Sequence, residues 1–151
     1  MKSEIIFPEA VFLMDKLVYA LNLIVDFVDT SDIINENRIS DFLSCTGFEE
    51  HEIRRILALL GIGNQTQTSG FRIFSKKEKQ LFTPEALNFL NKLLLAGVID
   101  FISAEEIIEH AYDDAQYKIS IEQLKEITLM LLIEKRGDAY LKSGFSEDIY
   151  N

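Results

Sequence analysis

The 151 residues are 48% hydrophobic and 26% charged, with only 7 Gly and 2 Pro, the profile of a folded chain at the size of one domain and not of a disordered one. A formal net charge of -10 sets the whole-molecule field against phosphate backbones and anionic membranes, which disfavours nucleic acid as a general partner. The single cysteine, Cys45, excludes an internal disulfide and points to a reducing compartment, the cytoplasm being the simplest reading.

Acids at Glu4 and Glu9 interrupt the basic start and apolar run of a signal peptide. The strongly apolar stretch from Leu17 to Val28 is broken by Asn22 and Asp26 and falls short of the roughly 20 residues a spanning helix needs, so no membrane partner is expected. The charge is uneven along the chain. Residues 71–97 hold 5 basic and 2 acidic groups, whereas 1–70 hold 5 and 11, and 98–134 hold 2 and 9. The middle is a basic island.

From Phe12, apolar residues at helical spacing (Leu13, Leu17, Ala20, Leu21, Ile24, Val25, Val28) predict a first helix that stops at the turn-rich 29–32. Ile39, Phe42 and Leu43 predict a short second helix closed by Gly47. Acids at Glu49, Glu50 and Glu52 open a third at the positive end of its dipole, with Ile53, Ile56, Leu57 and Leu60 on one face and Gly61 and Gly63 as its end. These two helices, joined by a glycine-containing turn, have the outline of a helix-turn-helix.

A polar, uncharged loop at 63–70 follows, and then Phe71-Arg72-Ile73-Phe74, whose alternation allows one short strand. Three spacings match capping boxes: Ser75 with Glu78, Ser103 with Glu106, and Ser120 with Gln123. Thr83-Pro84 begins a helix that Gly97 stops. The last helix is expected to close at Lys135-Arg136 before Gly137, leaving 141–151 as a tail. The fold class is therefore mainly α: a compact, bundle-like domain of about six to seven helices, with a helix-turn-helix-like N-terminal half and at most one short strand. We read 1–151 as a single domain, subdivided into a half at 8–62, the loop at 63–70, a C-terminal helical half at 71–140 and the tail.

Chemical motifs are sparse. Glu105, Glu106, Glu109 and His110 share a helix, but a bundle di-metal site needs a Glu-x-x-His pair on two helices and no such spacing occurs. His51-Glu52 begins like a zinc-protease motif, yet the second histidine's position is Arg55. Cys45 lacks a neighbouring base and is expected to be a small core residue. Gly61 and Gly63 lead into a polar loop without the Lys-Ser/Thr of a phosphate-binding loop. No catalytic, cofactor-binding or metal residues are assigned.

The candidate partner-binding residues are cations. Arg72, Lys76, Lys77 and Lys79 cluster with Phe71, Phe74 and Phe82 interleaved, a composition that stacks bases or clamps an acidic partner. Arg54 and Arg55 sit where a recognition helix touches phosphate, with Glu49, Glu50 and Glu52 opposing it.

Four strings resemble the bacterial Smg family: Met14-Asp15-Lys16-Leu17-Val18-Tyr19-Ala20-Leu21; Thr46-Gly47-Phe48 with Glu52-Ile53; Arg72-Ile73-Phe74-Ser75 with Glu78; and the stretch from Phe89 through Leu132, above all Leu94-Leu95-Ala96-Gly97-Val98-Ile99-Asp100, Ile121-Glu122-Gln123-Leu124-Lys125 and Thr128-Leu129-Met130-Leu131-Leu132. Family members often carry tryptophan after the Gly-Phe helix, where this chain has none. The resemblance implies a bacterial cytoplasmic protein without an established activity, with genes frequently near one for a DNA-processing protein of the DprA type. The expected function is a non-enzymatic interaction or adaptor module with a protein partner, linked to DNA processing or gene expression. The alternatives are a nucleic-acid-binding helix-turn-helix-like protein and a metal-dependent enzyme.

Overall fold

A computed structural model describes residues 8–32, 34–62, 72–114 and 117–150, with side chains from Met14 to Tyr140 within those ranges, Asp114 apart. Among the described residues seven helices follow one another: α1 (Pro8–Thr30), α2 (Glu36–Cys45), α3 (Glu50–Leu60), α4 (Lys76–Leu81), α5 (Pro84–Ala96), α6 (Phe101–Asp114) and α7 (Ile121–Tyr150). The fold is all-α, as the helical periodicities require. The loop at 63–70 and Phe71 lie outside the described residues.

Local chemistry fixes most helix starts. Asn35 accepts from the Arg38 amide at 2.9 Å to cap α2, and Thr83 accepts from the Ala86 amide at 3.2 Å to cap α5. Two of the expected capping boxes form reciprocally. In the first, the Ser75 amide donates to Glu78 (2.9 Å) and the Glu78 amide to Ser75 Oγ (3.2 Å). In the second, the Ser120 amide donates to Gln123 (3.0 Å) and the Gln123 amide to Ser120 Oγ (3.3 Å). Each satisfies two backbone groups of the helix start.

Gly47 and Gly97 take positive φ of 104° and 77°, and open space surrounds the position of a Cβ at both. Glycine is needed there for its backbone freedom and not for room.

The structure overrides four sequence expectations, the first through a local competitor. The box at Ser103 does not form: α6 starts earlier, at Phe101, because Asp100 Oδ1 accepts from the Ser103 amide at 2.7 Å. Gly137 does not stop α7, which runs on to Tyr150 through the segment read as a tail. A glycine costs a helix interior about 1 kcal/mol, too little to end one that packs along both sides. Gly137 is buried against α1, where a Cβ would come within 3.1 Å of Met14 Cε. Cys45, expected in the core, is exposed at the end of α2, since Ile39 and Leu43 already occupy the buried face.

The fourth is the expected strand at 71–74. Among the described residues no strand forms, and the one ladder-type contact is an isolated parallel bridge between Phe82 and Ile119. Arg72 instead finds its backbone partners in a side chain. Its amide donates to Asn91 Oδ1 (2.7 Å) and its carbonyl accepts from Asn91 Nδ2 (3.2 Å). One carboxamide thus stands in for the neighbouring strand that alternation alone could not supply.

α7 is the central element. It runs antiparallel to α1, as the contacts of Gly137 with Met14 and of Lys125 with Asp26 and Asp29 show. The Phe27 and Phe42 rings, 4.7 Å apart, pin α2 to α1. One apolar cluster draws on α1, α2, α3, α5, α6 and α7, with Phe82 at the end of α4, and includes Leu21, Ile56, Leu90, Ile107 and Tyr140. No helix among the described residues is long and apolar enough to cross a membrane.

Candidate functional site

A set of charged side chains in this protein ties helices together. Lys16 of α1 donates to Glu52 of α3, which is almost fully buried. Burial pushes the Glu52 pKa upward, but hydrogen bonds from Lys16 and the Glu49 amide, with the Lys16 charge, outweigh it and leave the group below its usual value. Lys125 of α7 reaches Asp29 (2.7 Å) and Asp26 (3.2 Å) of α1. Burial depresses its pKa and the two aspartates more than restore it. Lys135 of α7 holds Glu106 (2.5 Å) and Ser103 Oγ (3.2 Å) of α6.

Arg72 belongs to this class and not to an open basic strip. Its guanidinium grips Glu78 of α4 in bidentate fashion (2.6 and 2.8 Å) and Glu105 of α6 (2.8 and 3.0 Å). It also lies over the Phe74 ring. The Glu78 hydrogen bonds raise the Arg72 pKa, and the same contact, against burial, lowers that of Glu78. Arg55 is likewise turned inward, stacked 4.5 Å over the buried Tyr140 ring with its Nη2 donating to the Tyr140 carbonyl at 3.3 Å. Arg54 faces outward beside Glu50 at 3.9 Å.

Lys76, Lys77 and Lys79 are different. All three are exposed, and among the described residues none makes an ion pair. The reason is local: α4 contains a single acid, Glu78, whose carboxylate is already taken by Arg72 and by the Ser75 amide. The structure thus separates the predicted basic cluster into a buried tie, Arg72, and an unpaired outward face of three lysines.

Sequence reasoning missed Asn91, which anchors the segment before that face, and three exposed apolar side chains near it, Leu95, Phe101 and Ile102. One signal was available. Ile102 lies on the helical row of Glu105, Glu106 and Glu109, an apolar residue at a polar-face position.

The acids of α6 diverge. Glu105 goes to Arg72 and Glu106 to Lys135, while Glu109 is exposed. Among the described residues no group of three His, Cys, Asp or Glu side chains has a geometry that could hold a metal ion. His110 instead borders a cleft between α6 and α7, lined also by Ile127, Met130, Leu131 and Glu134, with a volume of about 40 Å³. Pockets that enclose a small-molecule substrate run to roughly 300 Å³ or more.

These features define an all-α protein in which a set of ion pairs links helices and three exposed lysines cluster on one short segment. The chain belongs to the family described as "Protein of unknown function (DUF494)", which matches residues 13–143. Its similar relatives carry the name "Protein Smg homolog", as the sequence resemblance implied. One, from Herminiimonas arsenicoxydans, is 35% identical over 103 residues, 60% of this chain and 65% of that protein. Those from Azoarcus sp. (strain BH72) and Thioalkalivibrio sulfidiphilus are each 29% identical over 133 residues, covering 82% and 81% of this chain and 84% and 82% of theirs. No solved structure matches the chain.

Proposed function

We propose that the protein is a non-enzymatic interaction module of the bacterial cytoplasm that presents Lys76, Lys77 and Lys79 to a protein partner. The observation that carries this reading is that three exposed lysines within four residues make no ion pair among the described residues, in a chain of net charge -10. Lys16, Arg54, Lys125 and Lys135 each have an acid partner, whereas the one acid of α4 is already engaged. Unmatched charge on a rigid, capped segment steers an oppositely charged partner and fixes its register. The Smg resemblance supplies the setting, DNA processing or gene expression.

Capture of partners from a bacterial lysate by the full chain and by its K76E/K77E/K79E variant tests the reading. Loss of partner capture in the variant is expected, and equal capture by both overturns it. The helix-turn-helix reading is tested by a salt titration against duplex DNA, where phosphate contacts make log affinity fall linearly with log salt. On α3 only Arg54 faces outward with a positive charge, beside exposed Glu50 and His51, so weak or no binding at low salt is expected. Elemental analysis of the purified protein tests the enzyme reading, and no stoichiometric metal is expected.

A further inference from the structure

The lysines are only half of the outward surface here. Arg72 joins α5 and α6 at one point, with its backbone on Asn91 and its guanidinium on Glu105. Leu95 lies one helical turn beyond Asn91 on α5, and Ile102 one turn before Glu105 on α6, so each is a surface neighbour of the residue that holds Arg72. Phe101 adjoins Ile102 at the start of α6. Ile73, next to Arg72 in sequence, is 85% exposed, and Ile102 is 69% exposed.

Asn91 takes both backbone groups of Arg72. In an extended segment the following residue's groups point the opposite way, so Ile73 is presented outward. Ile73 precedes the exposed lysines of α4 by three residues, and Leu95, Phe101 and Ile102 lie exposed on the ends of α5 and α6 that Arg72 joins. Isolated exposed apolar residues need no explanation, but several at one helix junction beside exposed cations mark an interaction site.

We infer that this junction is the docking site for a short acidic segment of a partner protein, one that carries a bulky apolar side chain beside its carboxylates. This rests on the lysine reading above and deepens it. Charge complementarity selects the occupant: the apolar side chains need an apolar anchor, and Lys76 and Lys77 need carboxylates within a few residues of it. A second copy of the chain is disfavoured because two molecules of net charge -10 repel each other over their whole surfaces. Nucleic acid is disfavoured because its continuous row of phosphates meets the whole-molecule charge of -10, whereas a short segment brings only a few carboxylates, beside the lysines.

Selection of binders from a random dodecapeptide library displayed on phage, with the full chain as bait, tests the inference. Enriched peptides are expected to pair Asp or Glu with Leu, Ile, Phe or Trp. Their affinity is expected to fall roughly tenfold or more for Ile73→Asp, for Ile102→Asp and for K76E/K77E/K79E, the effect of removing a central anchor or its charge partners. Ile73→Ser, at a position exposed to solvent, guards against misfolding and should show the same direction.

Enriched peptides without acids, binders indifferent to both isoleucine variants, or a selection that yields none would each overturn the inference. So would self-association of the wild-type chain that Ile73→Asp abolishes, or duplex DNA bound through these residues. If lysate capture depends on the lysines and not on Ile73 or Ile102, this inference falls while the interaction-module reading stands. If it depends on neither, both fall.

Discussion

The α2–α3 pair and the junction of α4, α5 and α6 both carry clustered cations in an acidic protein, but they use them in opposite ways. On α3, Arg55 is folded back onto Tyr140 and Arg54 stands beside Glu50 of the previous turn. Both α3 arginines are thus answered within the protein. At the junction, Arg72 captures the only acid of α4, so Lys76, Lys77 and Lys79 are left facing solvent. The difference shows that a basic stretch becomes an open surface when a stronger competitor removes its counter-charge. Composition alone does not reveal this.

The largest test concerns the core beneath both regions. Phe82→Ala and Ile56→Ala each delete side chains that are fully buried, and each is expected to lower stability by about 2 to 5 kcal/mol. If the two regions share one core, chemical denaturation of both variants keeps a single transition with an unchanged denaturant slope. Separate transitions would divide the comparison into two folding units.

A smaller effect sharpens the contrast between tied and free cations. Arg72→Ala removes charge-assisted hydrogen bonds to Glu78 and Glu105 and leaves the nearly buried Glu78 carboxylate without its partner. A loss of about 2 to 3 kcal/mol is expected in urea unfolding. Lys76→Ala should change stability by no more than about 0.5 kcal/mol. Equal effects of the two would contradict the separation of Arg72 from the lysine face.

The pH dependence follows from the same ties. Glu52, Glu78 and Asp100 all have folded-state pKa values below their ordinary 4.5, 4.5 and 3.8. For Asp100, burial opposes the shift and hydrogen bonds from Ser103, with the charges of Lys135 and Arg136, produce it. Groups of this kind add stability that is fully present above the unfolded pKa and lost as pH falls through the folded one. Stability should therefore decline as pH drops below about 4.5, with Glu78→Gln flattening that decline. Lys125, raised above its ordinary 10.5, contributes stability that persists below that pH and is lost as pH rises through its folded value. Thermal unfolding across pH measures both limbs. The smallest expected change is Arg54→Ala, within about 0.5 kcal/mol because its partner is exposed and one turn away.

The helical periods of α1, α3 and α5 could be read directly, as could the boxes at Ser75 and Ser120, because each depends on residues within one or two turns. The site was legible only in part. Lys76, Lys77 and Lys79 stood out as a basic cluster, but Arg72 looked equivalent to them, since Glu78 stands closer in sequence to the lysines than to Arg72 and its second partner, Glu105, lies 33 residues away. Leu95 read as part of the apolar run of its helix, Phe101 and Ile102 fell before the helix start expected at Ser103, and their exposure depends on which side of α5 and α6 packs against the other helices.

What the chain by itself determined, then, is where backbone hydrogen bonds are satisfied locally: caps, glycine turns and one apolar stripe per helix. The packed structure decided which ends those rules govern. α7 continued through Gly137 because α1 packs onto that glycine, whereas the start of α6 was settled locally, by Asp100 three residues before Ser103. It also decided which charges remain available to a partner. A cap is a contest between neighbours three or four residues apart, whereas pairing a cation with a distant carboxylate requires the intervening helices to be in place first.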